Sequence, residues 1–205
     1  MSAAKIHATA EVSSDATVGD GTRVWHQAQI REGAVVGPGC IIGKGVYVDL
    51  EVQVGARSKI QNYACLYAGV TLEEGVFVGP GAIFTNDRQP RAVSPDGAAK
   101  SEADWTLGRT TVQTGASLGA GAVVLPGLTI GRWALVGAGS LVTRDVPDYG
   151  LVTGSPAKRV GWVCACAERL SSDLGCGSCG RRYRSTDDGV TIAPDPGGVI
   201  GGDEE

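Results

Sequence analysis

The chain has 205 residues, 32 of them glycine and only 5% aromatic, with 18 Lys and Arg against 22 Asp and Glu for a formal net charge of −4. This mildly acidic balance leaves no basic footprint for nucleic acid or an anionic membrane surface, and no stretch approaches the roughly 18 apolar residues of a membrane span. The length suits one main domain with a small appendage, and abundant glycine and aliphatic residues favour short strands and tight corners, so we expect an all-β, soluble, cytoplasmic chain.

From the N-terminus, aliphatic residues recur at every sixth position: Ile6, Val12, Val18, Val24, Ile30, Val36, Ile42, Val48, Val54, Ile60, Leu66, Leu72 and Val78, with Phe84 completing the run. Four residues after each stands a small or β-branched residue, beginning with Ala10, Ala16, Thr22, Ala28, Ala34 and Cys40. Neither a 3.6-residue nor a 2-residue period fits this spacing. A solenoid does, each hexad giving one short strand and one corner. Glycine directly after the aliphatic residue, as in Val36-Gly37 and Val78-Gly79, is expected to permit a strained corner. Gln61, Asn62 and Tyr67 stand where the plain repeat prefers a small residue; their amides and phenol could read a nucleotide or serve corner hydrogen bonds.

The repeat breaks after Phe84. Residues 86–109 are charged, contain Pro90 and Pro95, and form an excursion loop of the length that usually carries function. The hexads resume with Val112, Leu118, Val124, Ile130, Val136 and Val142. There Gly119-Ala120-Gly121 and Gly137-Ala138-Gly139 keep side chains small, leaving room for an extended ligand along the backbone or simply making corners. Beyond them, Cys164-x-Cys166 and Cys176-Gly-Ser-Cys179-Gly180 provide four thiols in a short segment, enough for a closed tetrahedral zinc site of structural type. The expected organisation is a β-helix over 1–162 with its loop at 86–109, a zinc-ribbon-like module over 163–192, and a mobile acidic tail over 193–205.

This hexad run resembles that of the hexapeptide-repeat acyltransferases. Its departures from regularity are similar to the subgroup that N-acetylates UDP-2-acetamido-3-amino-2,3-dideoxy-glucuronate. They are Val24-Trp25-His26, Lys59-Ile60-Gln61-Asn62 with Tyr67, Gly75-Val76-Phe77-Val78-Gly79-Pro80, Phe84-Thr85-Asn86-Asp87-Arg88-Gln89-Pro90-Arg91, Asp145-Val146-Pro147-Asp148-Tyr149 and Gly154-Ser155-Pro156-Ala157-Lys158-Arg159. The resemblance spans about residues 5–162. It implies a left-handed parallel β-helix with three hexads per coil and a homotrimer. It also implies acetyl-CoA as co-substrate, with Gly119, Ala120, Gly137, Ala138 and Lys158 on the CoA side, and a UDP-linked 3-amino sugar acceptor used in cell-surface polysaccharide synthesis.

With three hexads per coil, His26 lies on a different face from Asn86 and about three coils away, ~14 Å along the axis at ~4.8 Å per coil. It therefore cannot act as base on an amine held at Asn86, and a ligand role at the nucleotide end is expected. The 86–109 loop has no histidine, which departs from the related sugar O-acetyltransferases. An amine needs less help, and the Asn86 amide could accept from the amine or donate to developing charge. Arg91 is the candidate partner for the acceptor carboxylate, with Arg88 its competitor. Two alternatives remain: acylation of a dTDP-3-amino-6-deoxy sugar, and a non-enzymatic trimeric β-helix scaffold.

Overall fold

In the computed structural model, which describes residues 2–187 and 189–193, the hexads build a three-sided parallel β-solenoid. Its first face is a nine-stranded sheet that includes a terminal hairpin, its second face has seven strands and its third has six. Neighbouring coils stack residues eighteen apart: Ile6 pairs with Val24, Val12 with Ile30 and Val18 with Val36. The faces therefore begin at hexads 6, 12 and 18, and seven coils follow one another on the second face. Among the described residues there is no α-helix, and no helix is long and apolar enough to cross a membrane.

The six-residue period is a packing rule. Strands are mostly two residues long, so each hexad turns two side chains inward, the aliphatic one and the small one two positions before it. Val36 and Ala34 are both fully buried, while Val35 between them is exposed. A short residue is needed near each vertex because two walls converge there, which is why alanine recurs in that column at positions 28, 34, 64, 82, 116, 122 and 134. The polar exceptions are satisfied: Thr22 donates to the Gly37 carbonyl at 2.8 Å and accepts from the Cys40 N–H at 3.0 Å.

The corner differs from expectation in one respect. The left-handed residue is the third after the aliphatic one, not the first: Gly39 has φ 69° and Gly81 φ 66°, while Gly37 and Gly79 are not in that region. Gly37 and Gly79 are glycine for lack of space, since a Cβ would lie 2.7 Å from the Ala56 nitrogen or 2.6 Å from the Ala120 nitrogen. Such distances are overpacked against backbone, which cannot rotate away.

The excursion leaves the second face after Phe84 and rejoins the third at Thr110, which pairs with Val70. It is thus an expanded corner. At the far end the antiparallel strands Gly150–Gly154 and Ala157–Trp162 extend the first face, and the cysteine-rich segment follows directly. That segment packs through Leu170, Tyr183 and Val190 against Tyr149, with the Tyr149 and Tyr183 rings edge to face at 5.0 Å. The acidic tail expected over 193–205 lies, beyond Ala193, outside the described residues.

Candidate active site

The expected site residues fall on two long edges of the prism. The edge joining first and second faces carries Trp25-His26, Gly43-Lys44, Gln61-Asn62, Gly79-Pro80, Gly119-Ala120 and Gly137-Ala138 as successive coil layers. Its lower half bears large side chains. The His7 and His26 rings stack at 3.5 Å, and Trp25 and Tyr63 are exposed. Its upper half is bare, and a Cβ on Gly119 would collide with the Ala138 backbone. Lys158 prolongs this strip, because it pairs with Thr153, whose side chain sits over Gly137.

The edge joining second and third faces is polar. Asp49 is buried there; its Oδ1 accepts from the Tyr47 hydroxyl and the Leu50 N–H at 2.8 Å and from Arg31 at 3.3 Å, and its Oδ2 accepts from the Ala68 N–H at 3.1 Å. Burial pushes the Tyr47 phenol above its ordinary pKa; Arg31 opposes this and Asp49 adds to it. The phenol therefore remains a donor at neutral pH. Tyr67 packs on Tyr47 at 5.5 Å, one coil below the start of the excursion.

Asn86 stands at the neck of that excursion, half-buried, its carbonyl accepting the Gly108 N–H at 3.0 Å. Next to it the Thr85 hydroxyl donates to the Val124 carbonyl at 3.1 Å. Between the loop arms opens a cavity of about 770 Å³ lined by Asp87, Arg88, Arg91, Lys100 and Asp104 among others. Its acids are already engaged: Asp87 accepts the Gln89 N–H at 2.7 Å, and Asp104 accepts the N–H and hydroxyl of Ser101, which hold its carboxyl below the usual range. Arg88 is engaged too, donating to the Pro126 carbonyl at 2.9 Å. Among the described residues exposed Arg91 reaches only the carbonyl of Pro90, at 3.1 Å, and half-buried Lys100 completes a patch receptive to an anion.

Gln61, Asn62 and Tyr67 do not form one cluster: they share a coil, but Tyr67 is on the opposite edge of the second face. Asn62 also does corner work, its Oδ1 accepting the Lys44 N–H at 3.0 Å. Conversely, Tyr63 was passed over. It adopts φ 60° in the slot that glycine usually fills, and its ring covers Gly45, where a Cβ would meet it at 2.5 Å. An aromatic in a glycine column is a signal visible in the sequence. The buried Asp49 network has no such signal, since Arg31 and the Ala68 N–H reach Asp49 only through coil stacking. His26 lies three coils from Asn86, as the hexad map requires.

The four cysteines beyond Trp162 converge. Their sulfurs all lie within 4.8 Å of one another, with Cys164–Cys179 at 3.4 Å, Cys166–Cys176 at 3.6 Å and Cys166–Cys179 at 3.6 Å, and all four thiols are free.

Comparison with known proteins finds a family model, related sequences and a related fold. Residues 15–49 match the model of the bacterial transferase hexapeptide (six repeats). Nodulation protein L of Rhizobium meliloti is 40% identical over 156 residues, 70% of this chain and 79% of that protein. The dTDP-3-amino-3,6-dideoxy-α-D-galactopyranose 3-N-acetyltransferase of Aneurinibacillus thermoaerophilus is 48% identical over 84 residues, 40% of this chain and 44% of that one. The chain thus spans under half the length of this second relative. In fold, it is similar to the crystal structure of a variant of AntD, an N-acyltransferase from Bacillus cereus, in complex with dTDP and coenzyme A, with a TM-score of 0.54 at 16% identity over 78% of this chain and 83% of that one.

Proposed function

Because the chain belongs to the bacterial hexapeptide-repeat transferase family, we propose that it moves an acetyl group from acetyl-CoA to the 3-amino group of a nucleotide-linked amino sugar, of the UDP-linked 3-amino glucuronate type. The observation that carries this reading is one of axial level. Asn86 leaves coil five, the bare strip runs through coils five to seven on the other edge, and Lys158 lies past its end. A pantetheine arm laid along this strip would bond to backbone groups left over from coil pairing, since the Gly79, Gly119 and Gly137 N–H groups already donate to Leu118, Val136 and Val152, and would bring its thioester to the level of Asn86, its phosphates toward Lys158.

In one chain these two edges stand on opposite sides of the second face. A homotrimer of left-handed coils about a parallel axis keeps axial levels while setting the polar edge of one copy against the bare edge of the next. In that cleft the neutral amine attacks the thioester carbonyl, forming the C–N bond as the C–S bond breaks. The surplus ammonium proton passes to solvent or to the leaving thiolate. The Asn86 amide aligns the amine and can donate to the developing oxyanion, so positioning does most of the work. Gln61, Asn62 and Tyr67, one coil below, contact the sugar nucleotide; His26 lies further down the bare edge and serves its nucleotide end. Arg91 meets the carboxylate.

The similarity to the Aneurinibacillus enzyme supports a second reading, in which the acceptor is a dTDP-3-amino-6-deoxy sugar and Arg91 has no carboxylate to hold. Thermal-shift measurements against CoA, UDP and dTDP separate the two: stabilisation by CoA and UDP is expected. Stabilisation by dTDP in place of UDP selects the second reading, and indifference to every CoA compound leaves a scaffold.

A further inference from the structure

We propose that Cys164, Cys166, Cys176 and Cys179 hold one zinc ion in a closed tetrathiolate site that fastens a cap onto the C-terminal end of the solenoid. The sulfur spacing carries the proposal. Four thiolates at ~2.3 Å from a zinc ion stand at the corners of a tetrahedron with edges of ~3.8 Å. The observed separations of 3.4, 3.6 and 3.6 Å, with none above 4.8 Å, fit that cage closely.

The backbone around the sulfurs has the same sense. Each cysteine pair sits in a tight turn closed by an antiparallel bridge, Val163 with Arg169 and Gly175 with Arg182. In the first turn the Ala167 N–H donates to the Cys164 carbonyl at 2.8 Å; in the second the Gly180 N–H donates to the Cys176 carbonyl at 3.0 Å. Both turns need a left-handed residue, Ala167 at φ 72° and Gly180 at φ 74°. The surroundings suit a charged cluster. The Tyr183 hydroxyl donates to the Cys164 sulfur at 3.2 Å, and the Arg181 guanidinium to the Cys179 sulfur at 3.3 Å. Zinc displaces four thiol protons to solvent and leaves a centre of net charge −2, which Arg181 partly offsets.

The cap also needs a staple. Apart from two of the cysteines, the buried residues of its core are Tyr149, Leu170, Tyr183 and Val190, and Tyr149 belongs to the solenoid. A segment this short does not hold itself together on so small a core. No water position is left by four protein ligands, so the ion is structural. Tetrahedral sulfur also accepts iron, and metal analysis distinguishes the two.

The test uses the full chain purified without chelator from zinc-replete medium. Elemental analysis should give one zinc per chain, and cobalt exchange should give the intense sulfur-to-metal charge-transfer bands of a tetrathiolate. Cys166→Ser, at an exposed ligand, should lose the ion, while Cys65→Ser in the solenoid keeps it. Arg181→Ala, which leaves all four thiols, should weaken metal affinity ~10–100-fold in a chelator competition. A metal-free chain with four freely titrating cap thiols, a cap disulfide, iron in place of zinc, or zinc retained in Cys166→Ser would each overturn the proposal. None of these readouts depends on acyl transfer.

Discussion

The two edges that border the second face are made from the same hexads, yet they are furnished in opposite ways. On the first–second edge, the upper coils keep side chains minimal: Gly79, Gly119 and Gly137 are followed by Pro80, Ala120 and Ala138, and an added Cβ would strike next-layer backbone at Gly79 and Gly119 and the Thr153 side chain at Gly137. On the second–third edge, Arg31, Asp49, Tyr67 and Thr85 stack as a polar column and the corner above them swells into the 86–109 excursion. A bare backbone suits an extended ligand recognised through amides, whereas a side-chain-rich edge suits a ligand that must be distinguished from close analogues. The proposed donor and acceptor roles rest on that contrast.

The sharpest way to break it is at Asn86. Asn86→Ala should lower turnover by ~10²–10³, the scale of one lost transition-state donor, whereas His26→Ala should raise the acceptor KM and leave kcat nearly intact. Steady-state kinetics with saturating acetyl-CoA decides; the reverse pattern would move the reaction three coils down the prism.

The division of labour between edges can be tested by mixing. Ala138→Trp should block the donor strip and leave almost no activity by itself. Co-refolded with Asn86→Ala, it should recover about a quarter of wild-type activity, because in random trimers about one cleft in four pairs an intact acceptor edge with an intact donor edge. Unrecovered activity in assembled mixed oligomers would place both edges of each site in one copy.

Arg91→Ala should reduce kcat/KM for a 3-amino glucuronate by ~10–100-fold, as an unpaired carboxylate in the cleft costs about 1.5–3 kcal/mol, and should spare the analogue with a neutral C6. Equal losses on both substrates would remove Arg91 from the carboxylate. The smallest effect is expected at Lys158, an exposed cation: Lys158→Ala should raise the KM for acetyl-CoA several-fold, in keeping with ~1 kcal/mol for an exposed ion pair, and leave kcat unchanged.

The contrast between edges was only half legible in the sequence. The register of aliphatic residues fixes the inside of the prism, because a slip of one position would expose Ile60 or Leu66, and the small residue four positions later marks each vertex. Corner chemistry was less readable. The glycine after the aliphatic residue looked like a torsional requirement and is a spatial one, while the torsional slot two positions later also accepts Glu51, Arg57, Tyr63 and Trp133. Which corners share an edge depends on counting three hexads to a coil, which puts Gln61 and Asn62 on one edge of the second face and Tyr67 on the other. Asp49 was invisible because its partners, Tyr47, Arg31 and the Ala68 N–H, come from three different coils. The convergence of the four cysteine sulfurs was legible because their two pairs stand close together in the sequence.

Transfer to an amine is tested by mass analysis of the product formed from acetyl-CoA and a UDP-linked 3-amino glucuronate. A single added acetyl group is expected on the 3-nitrogen, stable to hydroxylamine, with one CoA thiol released per product. A hydroxylamine-labile ester on a sugar hydroxyl, or release of CoA without any acetylated nitrogen, would contradict it.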